Sequence, residues 1–237
     1  MEYWLIMLAS LVRIKIKERL QKLDSADYDN LECWQIREAY NKAQVEWIRR
    51  QIHSKNDTHE GDEVTDQRVN DLQQLLKQTK IDVNDYKLYF STKSLPSDFM
   101  QLKRITPFIS KGKCKNKMIK STLREESNVD EYLQDWSMQP SFEFEETFHT
   151  MIDNGVRIYT NKEFSVDYIK LTYYRFPREI DFTGCVHIDG SAGIQIDPEF
   201  RDDIVELIID DAVAILAGDI ESPNALQIAK QRSEFNN

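Results

Sequence analysis

The spacing of apolar residues changes twice along this chain, and that change limits the folds open to it. Up to about residue 80 apolar side chains recur every three or four positions. From Ile81 to about residue 196 they alternate with polar ones, and after residue 197 the helical spacing returns. A period of 3.6 and a period of 2 belong to different elements, so helices must flank a run of strands. The 237 residues suffice for one large domain or two small ones. The expected fold class is α+β: a helical bundle, built from an N-terminal helical hairpin plus a C-terminal helix, with a strand-rich middle region. The expected domains are residues 1–80 for the hairpin and a third helix, 81–196 for the β-rich region, and 197–237 for the C-terminal helix with a projecting arm.

The first helix is expected from Tyr3 to Leu23, with Leu5, Leu8, Val12, Ile16, Leu20 and Leu23 on one face and Lys15, Arg19 and Lys22 on another. That basic line is either solvated or a partner-binding face. The opening "MEYWLIMLASLV" reads as a buried helix start. Its basic residues follow the apolar run instead of preceding it, and about ten residues is half of a membrane span. The second helix starts near Asp29, where Asp29 and Glu32 resemble a capping box. Cys33, Ile36, Tyr40, Ala43 and Trp47 form its apolar stripe, and Glu38/Lys42 and Glu46/Arg50 are i,i+4 pairs.

A polar stretch, 53–67, leads to a third helix expected over Val64 to Lys77 with Val69, Leu72 and Leu76 inward. Strands follow, with a helix near Val129 to Trp136 and two short strands, "CVHI" and "GIQI", around Asp189-Gly190. Asp197 and Pro198 suit the start of the last helix and Gly218 its end. Ser222-Pro223 restarts a short polar arm, residues 224–237, expected to be ordered by contact with another chain.

The search for chemistry is negative. His53, His59, His149 and His187 fall in no metal-ligand spacing, and no nucleophile elbow, Walker or dinucleotide motif occurs. Adjacent carboxylates such as Asp202/Asp203 and Asp210/Asp211 point about 100° apart on a helix and do not converge on one atom. Cys33, Cys114 and Cys185 are odd in number and far apart, which argues against a disulfide framework. A non-enzyme without metal or cofactor is the expectation.

The charge is segregated. The overall net charge is −10, yet residues 99–124 carry 8 basic and no acidic side chains, whereas residues 189–237 carry 11 acidic and 3 basic. Lys111, Lys113, Lys115 and Lys117 alternate. They read first as a guard on a sheet edge or a solvated loop, second as a subunit contact and third as a phosphate contact. Asp203, Glu206 and Asp210 line an acidic stripe on the last helix. Complementary patches of this kind steer association, so the stripe is expected to meet a basic surface of a neighbouring copy.

Three stretches carry a resemblance to a known family: Leu95-Pro96 with Asp98, the pair Tyr173-Tyr174 ahead of Pro177, and "AGDIESPNALQI" from Ala217 to Ile228. In this order, after a helical hairpin, they resemble the head-to-tail connector (adaptor) proteins of tailed bacteriophages, especially the ring proteins of crAss-like phages. The resemblance implies a virion structural protein at the head–tail junction. It would form a ring, twelvefold to match the portal, that docks the portal and further tail ring or hub proteins and lets DNA pass without sequence-specific binding. No membrane is implied. The expected contact residues are Arg13, Lys15, Arg19, Lys111, Lys113, Lys115, Lys117, Asp203, Glu206 and Asp210, with Ile220, Pro223, Leu226 and Ile228 of the arm reaching the portal. The alternative is a nucleic-acid-binding module using the basic run from Lys111 to Lys120, which a steep salt dependence of DNA binding would reveal.

Overall fold

A computed structural model of the chain describes residues 7–23, 31–53 and 69–219. The chain divides into two compact units. The first combines residues 1–74 with 177–237, and the second is residues 75–176.

In the first unit, helix α1 spans Ala9–Leu23 and α2 spans Cys33–His53. Val12, Ile16 and Leu20 are buried on α1, and Ile36, Tyr40, Ala43 and Trp47 on α2, as their spacing requires. Leu8, expected inward, is 56% exposed because the buried line of α1 runs through Ala9 instead. Asp29 lies outside the described residues. Glu32 donates its backbone N–H to Gln35 Oε1 at 2.9 Å, one half of a capping box displaced from the expected position.

The last helix of the unit, named α4 below in chain order, covers Asp202–Asp219. It buries Ile204, Val205, Ile208, Ile209, Ala212 and Val213 and packs along both α1 and α2. Among the described residues α1 and α2 barely touch each other, so no helical hairpin forms: the C-terminal helix is the element both lean on. Its start also differs from expectation. Asp197 and Pro198 precede the helix, whose first turn closes with the Val205 N–H on the Arg201 carbonyl at 2.9 Å. Asp197 instead accepts from the Ala9 N–H at 2.7 Å, and Asp202 from the Met7 N–H at 2.8 Å. Two carboxylates thus satisfy unpaired donors at the positive end of α1. Gly218 lies inside α4, not beyond it.

The second unit is one eight-stranded sheet. The strands are β1 Leu76–Asp85, β2 Tyr89–Thr92, β3 Phe99–Lys111, β4 Cys114–Met118, β5 Lys120–Leu123, β6 Glu146–Ile152, β7 Gly155–Tyr159 and β8 Ser165–Arg175. Their order is β4-β3-β8-β1-β2-β7-β6-β5, antiparallel except for the parallel pair β5–β6. The two outer strands, β4 and β5, are separated in sequence only by Ile119, and Ile119 N–H donates to the Pro107 carbonyl of β3 at 3.2 Å. The sheet therefore curls into a nearly closed barrel.

Alternate residues of β8, Ile169, Leu171 and Tyr173, enter a core with Ile105, Ile109 and Ile158. Helix α3, Val129–Gln134, packs a smaller cluster of Val129, Phe148 and Tyr159. The Asp153-Asn154 turn between β6 and β7 has both φ angles near +50°, the twist a two-residue hairpin needs.

The expected helical bundle with a strand-rich middle is corrected by this sheet. The middle is a barrel-like unit with its own core, because the eight-stranded sheet curls and its inward side chains, such as Ile169, Leu171 and Tyr173 of β8, pack together. The third helix is also cut short. Leu76 opens β1 and is 41% exposed, Val69 is 50% exposed, and Leu72 alone of the three points inward. "CVHI" and "GIQI" form isolated bridges, Val186 with Ala192 and Asp181 with Ile196, in place of strands.

Candidate functional site

The expected contact residues separate sharply by unit. In the first unit the acidic stripe finds its partners in the same chain. Lys15 and Arg19 of α1 both pair with Glu206, and Arg19 reaches Asp210 at 2.6 Å. Burial pushes the Glu206 carboxyl up, but the hydrogen bond from Lys15 and the charge of Arg19 outweigh it and hold it below the usual range. Arg50 pairs with Asp211 and not with Glu46. Arg201 joins Asp71 at 2.6 Å and Asp203 at 3.1 Å. Lys15, Arg19, Glu206 and Asp210 thus close the α1–α4 contact within one chain. Arg13 has no ion pair among the described residues and lies on another side of α1 from Lys15 and Arg19. Ile220, Pro223, Leu226 and Ile228 lie outside the described residues.

Cys33 and Cys185, 152 positions apart, are joined in a disulfide with a Cα–Cα separation of 5.7 Å. This corrects the expectation of unpaired cysteines: α2 and the loop after residue 177 meet in the fold, which spacing along the chain does not reveal. Cys114 is free and exposed.

Next to the bridge stands a buried carboxylate that the sequence did not single out. Asp181 accepts the backbone N–H groups of Phe182 and Ile194 at 2.8 Å each, takes His187 Nε2 at 3.2 Å, and lies 3.6 Å from Arg37 Nε. Burial raises its pKa, yet these donors and cations bring it below the ordinary value. Asp181 thereby fastens both ends of a hairpin running from Phe182 to Ile196. Gly193 completes it: a Cβ there would stand 2.3 Å from the Phe182 carbonyl oxygen.

From this fixed frame Val186, Ile188 and Ile194 project into solvent, 63%, 77% and 70% exposed. Beside the root of the hairpin, Leu8, Leu11 and Ile14 of α1 are also exposed. A groove of about 320 Å³ lies between, lined by Arg13, Ile14, Lys17, Phe182, Thr183 and Gln195. Isolated exposed aliphatics are ordinary, but three on a short braced hairpin, with an apolar-lined groove at its root, mark a candidate interaction surface. The sequence places two short strands, "CVHI" and "GIQI", around the Asp189-Gly190 turn, but strand patterning alone does not indicate that Val186, Ile188 and Ile194 are left uncovered.

In the second unit β4 is an outer strand, and the lysines sit there: Lys113 in the turn, Lys115 and Lys117 on the strand. Lys111 pairs with Glu163 at 3.0 Å and Lys117 with Glu145 at 2.9 Å, and both ammonium groups lie over the Phe142 ring. Lys113 and Lys115 are exposed and have no ion pair among the described residues. This is the arrangement of an edge kept from pairing by charge.

Two of the quoted family stretches meet in the same unit. Asp98 accepts from the Tyr173 hydroxyl and from Lys77 Nζ, each at 2.7 Å, and these two bonds hold its carboxyl below the usual range. The Phe176 N–H donates to the Asp98 carbonyl at 2.9 Å, tying the turn before β3 to the end of β8. His149 is buried with Nδ1 2.7 Å from Ser121 Oγ, and burial lowers its pKa to about 4. Among the described residues, no group of three His, Cys, Asp or Glu side chains is placed to hold a metal, and no helix is long and apolar enough to cross a membrane.

No protein-family model matches the chain, and no curated protein matches it.

Proposed function

We propose that the chain is a structural subunit that assembles with copies of itself, and that the assembly is an adaptor ring at the head–tail junction of a tailed bacteriophage. The observation that supports assembly is the exposed aliphatic surface of the first unit, carried on a hairpin braced by Asp181, Gly193 and the Cys33–Cys185 bridge. A rigid apolar display loses little conformational entropy on docking, so more of its burial appears as affinity. The junction itself is proposed from the resemblance, in which Asp98 and Tyr173 fall on one structural node. In this reading the ring extends the channel below the portal, and DNA passes without base-specific contact.

Sedimentation velocity of the purified chain, with and without a cognate portal protein, tests both levels. A discrete ring-sized species that joins the portal supports the proposal. A chain that stays monomeric at high concentration and in the presence of the portal overturns it.

A further inference from the structure

The first unit carries two shapes that fit each other but stand apart on one chain. One is the hairpin tip, where Ile188 is the most exposed aliphatic among the described residues at 77% and Asp189 lies next to it. Asp189 accepts from the backbone N–H of Ser191 at 3.0 Å and from its hydroxyl at 2.6 Å; those bonds hold it ionised, and its side chain remains exposed. The other is the groove at the hairpin root, lined by Ile14 and Phe182 together with two cations, Arg13 and Lys17. Neither cation has an acidic partner among the described residues, although their neighbours on α1, Lys15 and Arg19, are fully engaged. An uncompensated pair of cations beside an apolar groove calls for an anion attached to an apolar group, and the tip supplies that combination.

The tip does not occupy the groove of its own chain: no residue of 186–192 lines the groove, and Asp189 is bonded to Ser191. The hairpin is held by the Val186–Ala192 bridge, by the His187 N–H on the Ser191 carbonyl at 2.9 Å, and by His187 Nε2 against Asp181 at 3.2 Å. Hydrophobic match, charge match and this fixed geometry favour a second copy as the occupant.

We infer that the hairpin tip of one copy, Ile188 with Asp189, docks in the groove between α1 and the hairpin root of another copy, where Asp189 meets Arg13 and Lys17. This rests on the self-assembly proposed above and names its contact. A surface that offers a tip and accepts a different patch is heterologous, the type of contact that propagates around a ring. It also assigns the acidic partner of the contact to Asp189 and the basic partner to the outward side of α1, in place of the stripe that is consumed within the chain.

Charge reversal and its repair test the inference. Asp189→Lys and the double variant Arg13→Glu/Lys17→Glu alter exposed or half-buried side chains outside the buried core, and unchanged circular dichroism with an unchanged melting temperature establishes that each folds. In sedimentation velocity each variant alone is expected to lose the assembled species, with apparent self-affinity falling at least tenfold. An equimolar mixture of the two is expected to recover it, because every tip then finds a groove of opposite charge.

Wild-type protein that assembles while either variant assembles equally well overturns this contact and leaves self-assembly standing. Loss in both variants with no recovery on mixing overturns it as well. Wild-type protein that fails to assemble in any condition overturns the contact together with the reading it rests on. Assembly that appears only with a second protein, and is indifferent to both reversals, assigns the groove to that protein and overturns the self-docking.

Discussion

At the scale of single residues, the two units place their costly groups differently. His149 is buried beside Ser121 and stays neutral, with a pKa near 4 against an ordinary 6.5. The folded-state value lies below the unfolded one, so the unfolded chain binds the proton first as pH falls. Its contribution is whole above about pH 6.5 and is lost progressively down to about pH 4, a loss of about 3 kcal/mol. Urea unfolding at pH 7 and pH 5 is expected to show lower stability at pH 5, and His149→Gln is expected to flatten that difference. A His149 ring that titrates near 6.5 in the folded protein, read by NMR, contradicts the account. Asp98 and Asp181 are instead held ionised, Asp98 by Lys77 and Tyr173 from distant strands and Asp181 by backbone N–H groups of its own hairpin with His187 and Arg37, and their contributions are likewise lost as pH falls. Neither role was legible beforehand, since an aspartate in a turn looks alike whether its partners are solvent or a buried tyrosine.

At the scale of elements, the periods predicted the kinds of structure well and the pairings poorly. Strands β7 and β8 fall in the stretch expected to be strand-rich, and a helix begins at Val129 as expected, although it ends at Gln134. What failed were boundaries and neighbours. Asp197-Pro198 has every local mark of a helix start, yet the carboxylate serves the far end of α1, a contact across 188 positions that no local rule contains. Likewise the acidic stripe of α4 was visible, but its partners on α1 were not.

Two changes probe these contacts. Glu206→Gln removes the carboxylate shared by Lys15 and Arg19 and is expected to cost about 1–2 kcal/mol at low salt, with a smaller loss at high salt, because the group is partly solvated and screened. A cost that does not vary with salt would show that the residue acts through packing. Gly193→Ala presses a Cβ toward the Phe182 carbonyl, a backbone atom that cannot rotate away. A loss of about 1–3 kcal/mol in denaturant midpoint is expected, and a neutral result would mean the hairpin root is pliable.

At the scale of the whole molecule, segregation of charge along the sequence is not segregation on the surface. The acidic C-terminal stretch is offset within its unit by Lys15, Arg19, Arg50 and Arg201, and part of the basic stretch within its own by Glu145 and Glu163. The connectivity has the same character. The chain leaves the first unit at Gln74 and returns at Pro177, and between these points Leu76 pairs directly with Tyr174 on neighbouring antiparallel strands. Residues 75–176 therefore enter and leave through adjacent strands, on the order of 5 Å apart, and form a closed insert with its own core. Residues 75–176 expressed alone are expected to unfold in one cooperative transition and to give a dispersed amide spectrum. The remaining chain, with a short Gly/Ser linker joining Gln74 to Pro177, is expected to keep its helical circular dichroism and the Cys33–Cys185 bridge, read by intact mass after thiol alkylation without reductant. An unfolded insert would mean that its sheet requires the helical unit, and that the barrel is not an independent body. A linker-joined chain that loses both helix signal and bridge would mean that the insert, and not the α4 contacts, brings the two halves of the first unit together.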